Sequence, residues 1–145
     1  MKTIGIEISK KKVIFIALEQ TNGVFVNITG KRKSIELEDD RDGKELKAFM
    51  KELHSYFDSI NPDKIGIVTR MTKGKFSASP FSFKIEGLIQ LYDKVAIEFV
   101  TPQGLTGYFK KNELQIIYLG WFLGDWSLVN NALYSVTDGL NIREE

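Results

Sequence analysis

β-Branched and aromatic residues fill Thr3 to Ile8 and again Val13 to Leu18, and the segment between them, Ser9-Lys10-Lys11-Lys12, has the composition of a turn. The pattern predicts a β-hairpin. A third run, Val24 to Ile28, follows Asn22-Gly23, a dipeptide that favours positive φ and hence the tight turns that join antiparallel strands. That strand is expected to continue towards Leu37 beyond an interruption at Gly30. The acidic stretch from Glu36 to Asp42 reads as a solvated loop leading into a helix, because carboxylates favour the positive end of a helix dipole.

Leu46, Phe49, Met50, Leu53, Phe57 and Ile60 recur at spacings of three and four, which predicts an amphipathic helix from about Gly43 to Ile60, ended by Asn61-Pro62. Lys64 to Val68 is a short apolar run of strand type. The loop after it, Arg70 to Phe76, carries three basic side chains and no acidic one. Ser79-Pro80 has the form of an N-cap followed by proline at the first helical position, and Phe81, Ile85, Leu88, Ile89 and Tyr92 line one face of a second helix, Pro80 to Tyr92. Val95 to Val100 reads as a strand stopped by Thr101-Pro102. Gln103 to Asn112 reads as a loop or short helix, and Ile116 to Phe122 fits helix and strand equally. Trp126, Val129, Leu133, Val136 and Leu140 predict a closing helix over Asp125 to Leu140. The order β-β-β-α-β-α-β-α, without repeat or linker, gives one α/β domain over residues 1–145 with a five-stranded mixed sheet and flanking helices.

Composition narrows the chemistry more than it names it. With 145 residues, 43% apolar and 27% charged, the chain is of ordinary globular type. It has no cysteine, which removes disulfides, thiolate zinc sites and a cysteine nucleophile, and its single histidine, His54, removes any site that needs two imidazoles. A net charge of +1 provides no global field, so electrostatic recognition has to be local. The N-terminal sequence lacks the pattern of a signal peptide, and the apolar stretch Ile116 to Leu123 is interrupted by Gly120 and far shorter than the roughly 20 residues of a membrane span. A cytoplasmic protein with no membrane partner is expected.

Gly5-Ile6-Glu7-Ile8 resembles the first strand of RuvC-type members of the ribonuclease H-like fold, whose strand and helix order is also the one predicted here. Thr69 to Phe76 (TRMTKGKF) and Phe83 to Leu91 (FKIEGLIQL) resemble a family of small bacterial ribonuclease H-like proteins of unknown function. The likeness covers the N-terminal and central parts of the chain and stops at about Asn112. It implies an acidic metal ligand at Glu7 and, were the site functional, two Mg²⁺ or Mn²⁺ ions held by carboxylate oxygens about 3.5–4 Å apart. Two departures stand against this. The resembling family has an acid before its arginine-methionine pair where this chain has Thr69, and the acid-Ala-Leu string of the last helix is here Asn131-Ala132-Leu133. Asp125 and Asp138 flank that helix, but Asp138 lies about two turns beyond Asn131. The resemblance therefore implies a nuclease scaffold that retains one catalytic acid and lacks two.

Arg70, Lys73, Lys75 and Lys84 are four like charges with no compensating acid nearby in sequence, interleaved with Phe76, Phe81 and Phe83. Basic groups neutralise phosphates and aromatic faces stack on unpaired bases, so the region suits nucleic acid, whereas the plain alternative makes Phe81 core and the lysines a solvated rim. Lys10 to Lys12 and Lys31 to Lys33 are further basic clusters near strand ends, where lysines also serve simply to protect edges. Glu7 has its own plain reading, an outward position on an alternating strand, and Glu86 and Asp93 read as a solvated face and a helix end. Gly74 lacks the spacing of a P-loop, and His54 reads as structural. Trp121, Phe122 and Trp126 form an aromatic cluster that suits either a core lid or an interface with a protein partner or second copy. Three functions are thus expected in order: nucleic-acid binding on a degenerate nuclease site, a protein-interaction or inhibitory module using Trp121 and Trp126, and a divalent-metal-dependent nuclease built on Glu7.

Overall fold

The computed structural model of the chain describes residues 1–22, 24–68 and 79–100, together with the main chain of 142–144. Strands β1 (Lys2–Ser9) and β2 (Lys12–Thr21) form the predicted antiparallel hairpin, pairing from Lys2 with Glu19 to Ser9 with Lys12. Only Lys10 and Lys11 lie in the turn, and Lys10 has a φ of 55°. Two-residue hairpin turns need a positive φ at their first position, and for a side chain other than glycine this costs about 1–2 kcal/mol.

The third strand continues past Gly30 as expected, but broken in two. β3 (Val24–Asn27) pairs with the far half of β2 and β4 (Ser34–Glu36) with its beginning, Lys12 opposite Glu36, both antiparallel and both on the edge that β1 leaves open. Thr29 bridges the break. Its buried hydroxyl oxygen accepts from the Ala17 amide at 2.9 Å and donates to Asn27 Oδ1 at 2.6 Å, while its carbonyl accepts from the Tyr56 hydroxyl at 3.1 Å. The hydroxyl thus takes over a bond that an unbroken strand would have made through its main chain.

Beyond β1 the sheet grows by parallel addition of β5 (Lys64–Val68) and β6 (Ile97–Val100), while β7 (Ile142–Glu144) lies parallel to β3 at the other edge. Among the described residues the sheet has seven strands where five were expected. One of the extra two is the resumed half of the third strand, and β7 is a three-residue segment that no apolar run announces.

Helix α1 (Gly43–Ile60) has the predicted bounds. Asp42 caps it, its carboxylate accepting from the Lys44 amide at 2.9 Å, and Asn61 ends it in the left-handed region at φ 53°, ahead of Pro62. Helix α2 (Pro80–Gln90) begins at the predicted Ser79 cap and stops two residues before Tyr92. The sequence places the following strand two residues too early, since β6 starts at Ile97. The predicted closing helix and the segments 103–112 and 116–122 lie outside the described residues.

Both helices cover one face of the sheet. Ile4, Ile6 and Ile8 of β1, Val13, Phe15 and Ala17 of β2, and Ile65 and Ile67 of β5 pack there with Phe49, Leu53, Phe57 and Ile60 of α1 and Ile85 and Ile89 of α2. Ring contacts tie the layers: Phe15 stacks on Tyr56 at 4.0 Å, and Phe57 meets Tyr92 edge-on at 5.1 Å. His54 donates from Nε2 to the Leu88 carbonyl at 2.9 Å, joining α1 to α2 as a structural histidine. On the opposite face Ile14, Ile16, Leu18 and Val68 are buried as well. This explains why Val13 to Leu18 is an unbroken apolar run rather than an alternating one.

Candidate nucleic-acid interface

Glu7 stands on the sheet face opposite α1 and α2, because Ile6 and Ile8 on either side of it point into the helical layer. Across the hairpin it pairs with Ile14. On its other side the pairing with β5 ends at Ile6 and Ile67, one residue short of Glu7 and of Val68. Glu7 is half-buried, and its Oε2 is shielded from solvent. The carboxylate therefore lies where the parallel strands end, the end from which chain segments leave an α/β sheet and at which such folds place their sites.

The segment that contains Arg70, Lys73 and Lys75 leaves the sheet from Val68 at this same end and returns at Ser79. These three residues lie outside the described residues, but both anchors of their segment are described. Ser79 caps α2 by accepting from the Ser82 amide at 3.3 Å. The hydroxyls of Ser79 and Ser82 also both donate to the carbonyl of Lys10, at 3.3 and 3.2 Å. The start of α2 is thereby fastened to the β1–β2 turn, three residues from Glu7, so the basic segment departs and returns at the Glu7 end of the sheet.

Lys84, the fourth basic residue of the predicted set, differs from its sequence reading. Its ammonium donates to the carboxylate and to the main-chain carbonyl of Asp40, each at 2.7 Å. The run from 70 to 84 contains no acid, and Lys84 takes its partner from 44 residues away. Hydrogen bonding to Lys84 holds the Asp40 carboxyl below the usual carboxylate range. As a phosphate contact Lys84 would have to give up this pair. Phe81 packs partly buried against the core, as its plain reading had it, and Phe83 is exposed.

The other basic clusters are sorted in the same way. Lys11 is paired with Glu36 at 2.9 Å and Glu38 at 3.4 Å, and hydrogen bonds to these two carboxylates keep its ammonium charged beyond the ordinary lysine range. Arg32 is paired with Glu52. Lys10 and Lys12 are exposed and, among the described residues, have no carboxylate within ion-pair distance. The sequence showed three equivalent lysines here. Its one distinguishing signal was a lysine, rather than glycine or asparagine, at a turn position that requires positive φ.

A two-ion centre needs several oxygen ligands converging on one point. Among the described residues no three of Asp, Glu or His are grouped closely enough to hold a metal. Glu86 has a shielded Oε2 like Glu7, but it belongs to α2, one turn beyond Ser82, on the helical layer rather than on the Glu7 face. The described donor set does not fit a two-metal site. Asn131, Asp125, Asp138 and the pair Trp121 and Trp126 lie outside the described residues. No helix among the described residues is long and apolar enough to cross a membrane.

Residues 1–120 match the protein family described as "Protein of unknown function (DUF3010)". The chain belongs to this family. The sequence itself matches no curated protein. In fold, this DUF3010 member is similar to Thermus thermophilus RuvC in complex with a Holliday junction substrate, with a TM-score of 0.63 and 9% identity over 86% of this chain and 80% of that one. It is also similar to the yeast mitochondrial Holliday junction resolvase Ydc2, with a TM-score of 0.56 and 13% identity over 99% of this chain and 63% of that one. Identities this low speak for the fold alone, and the fold is the expected one: a ribonuclease H-like, RuvC-like mixed α/β sheet with flanking helices.

Proposed function

We propose that this protein binds nucleic acid through the end of the sheet that carries Glu7, on a nuclease scaffold whose metal site is degenerate. The observation that carries this reading is the double anchoring of the basic segment. Its two described ends, Val68 beside the end of β1 and Ser79 hydrogen-bonded to the β1–β2 turn, both lie at the end of the sheet where Glu7 stands. Support also comes from the fold shared with a RuvC seen bound to a Holliday junction. Lysine and arginine at such a place contribute by neutralising phosphates and releasing counterions, which gives affinity without sequence preference. Glu7 alone does not replace the missing acids, so binding rather than cleavage is the activity proposed.

The test is fluorescence anisotropy with labelled single-stranded, duplex and four-way-junction DNA and the corresponding RNAs, at two salt concentrations with Mn²⁺ present. Binding that weakens steeply with salt, leaves the probe intact, and is reduced in the Lys73→Ala, Lys75→Ala double variant is the expected result. A shortened probe whose cleavage is lost in Glu7→Gln would replace binding by metal-dependent cleavage. No binding at low salt would overturn the reading and transfer it to a protein partner at Trp121 and Trp126, to be sought by co-purification against variants of those two residues.

A further inference from the structure

Three consecutive lysines, Lys10 and Lys11 of the β1–β2 turn and Lys12 at the start of β2, are used by the structure in two different ways. Lys11 is drawn onto Glu36 and Glu38 on the side of β4. Lys12 pairs with Ser9 across the hairpin, and residues directly opposite each other share a face, so Lys12 stands on the face of Ser9 and Glu7. It is the diagonal neighbour of Glu7, two positions along β2 from Ile14, a separation of about 7–8 Å. Its cross-strand neighbour Glu36 is already committed to Lys11 at 2.9 Å. Lys10 occupies the strained turn position, and its carbonyl is held by Ser79 and Ser82. A glycine would fit that backbone better, and a lysine there presents a charged side chain from a fixed main chain.

We infer that Lys10 and Lys12 form a phosphate-binding rim at the Glu7 end of the sheet, contacting the sugar-phosphate backbone of the nucleic acid. This rests on the nucleic-acid reading and deepens it. It adds two contacts that the charge run after Val68 does not contain, and it gives the Ser79 and Ser82 hydroxyls a purpose, since they lock the turn that carries the rim to the helix that closes the segment. Lys11 takes no part, because its charge is met within the fold.

The experiment compares wild type, Lys10→Gly with Lys12→Gln, and a control pair, Lys47→Gln with Lys51→Gln. The control makes the same change of charge on α1, which packs on the opposite face of the sheet. Each is titrated against a labelled duplex and a four-way junction over a salt series. Losing two phosphate contacts should make the slope of log K against log salt shallower by about 1.8, and the control should leave it at the wild-type value. Thermal unfolding of Lys10→Gly alone should show a midpoint no lower than wild type, so a loss of binding cannot be ascribed to a damaged fold. Wild-type binding with an identical slope in the rim variant and the control would overturn the rim and leave the nucleic-acid reading standing. Absence of salt-sensitive binding by wild type would overturn both.

Discussion

Lys84 and Asp40 are joined by two hydrogen bonds of 2.7 Å, one to the carboxylate and one to the main-chain carbonyl, so the exposed side of α2 is tied to the loop that leads into α1. The pair draws on Lys84 of α2, a member of the basic run, and it sets a dependence on acid. Asp40 has a depressed carboxyl pKa in the folded protein, so its contribution is complete above the unfolded value of about 3.8 and is lost as pH falls through the folded value. Asp40→Asn should lower the urea midpoint at pH 6 and converge with wild type as the pH falls below the depressed folded value. Equal midpoints at pH 6 would show that the pair adds nothing to stability.

Tyr92 sets the corresponding dependence at high pH. Burial, together with a hydrogen bond of 2.9 Å to Asp58, pushes its hydroxyl up to about 12. A raised folded value means that its stabilising effect is intact below the unfolded value of about 10 and disappears as pH rises towards 12. Tyr92→Phe should be less stable than wild type at pH 8, and the difference should shrink between pH 10 and 12 in denaturant titrations. Tyr56, whose hydroxyl is pushed up by burial, leaves a residual alkaline decline in both proteins.

Thr29→Val should cost about 1–3 kcal/mol, because the methyl group cannot accept from the Ala17 amide and that buried donor then goes unsatisfied. Thr29→Ser keeps the hydroxyl and should lose much less. Urea unfolding of the two variants checks this, and a Thr29→Val loss no greater than that of Thr29→Ser would mean that the hydrogen bond does not dominate at the break between β3 and β4.

Leu53→Ala removes a fully buried side chain from the centre of α1 and should cost about 2–5 kcal/mol with an unchanged denaturant slope. A loss below about 1 kcal/mol would place the principal core elsewhere.

Chelation offers a separate check on whether the metal site is degenerate. If lysines and not ions hold the nucleic acid, EDTA should change the affinity for a four-way junction by less than about twofold at constant ionic strength. A tenfold loss on chelation would mean that an ion bridges Glu7 and the phosphates.

The parts of this fold that could be read from sequence are those governed by local patterns. The stripe Leu46 to Ile60 gave α1 its bounds, Ser79-Pro80 gave α2 its start, and Ile4, Ile6 and Ile8 marked the inward face of β1 and so the outward place of Glu7. What escaped depends on partners distant along the chain. Asp40 meets Lys84 across 44 residues and His54 meets Leu88 across 34, and no spacing rule links such pairs. β4 was hidden within the expected third strand because only pairing with β2 reveals the break, and β7 has three residues whose strand character comes from lying beside β3. At the candidate site, sequence identified charge but not its neutralisation. Lys10, Lys11 and Lys12 look alike until Glu36 and Glu38 are brought up to one of them.

The alternation in β1 has a consequence for how the chain reaches this structure. β2 is apolar on both faces from Val13 to Leu18, so sliding it by one residue exchanges one buried apolar side chain for another and brings no polar group into the core. β1 does not share that tolerance. The same slip there would turn Ile4, Ile6 and Ile8 outward and drive the Glu7 carboxylate beneath α1 and α2, into the layer that holds Leu53, Phe57 and Ile85. Glu7 thus acts as a ruler for the hairpin, since a misaligned pairing cannot accept the helices without burying a carboxylate. Exchanging it for leucine should yield a chain that folds more slowly or into mixed registers, even where its final packing energy has improved.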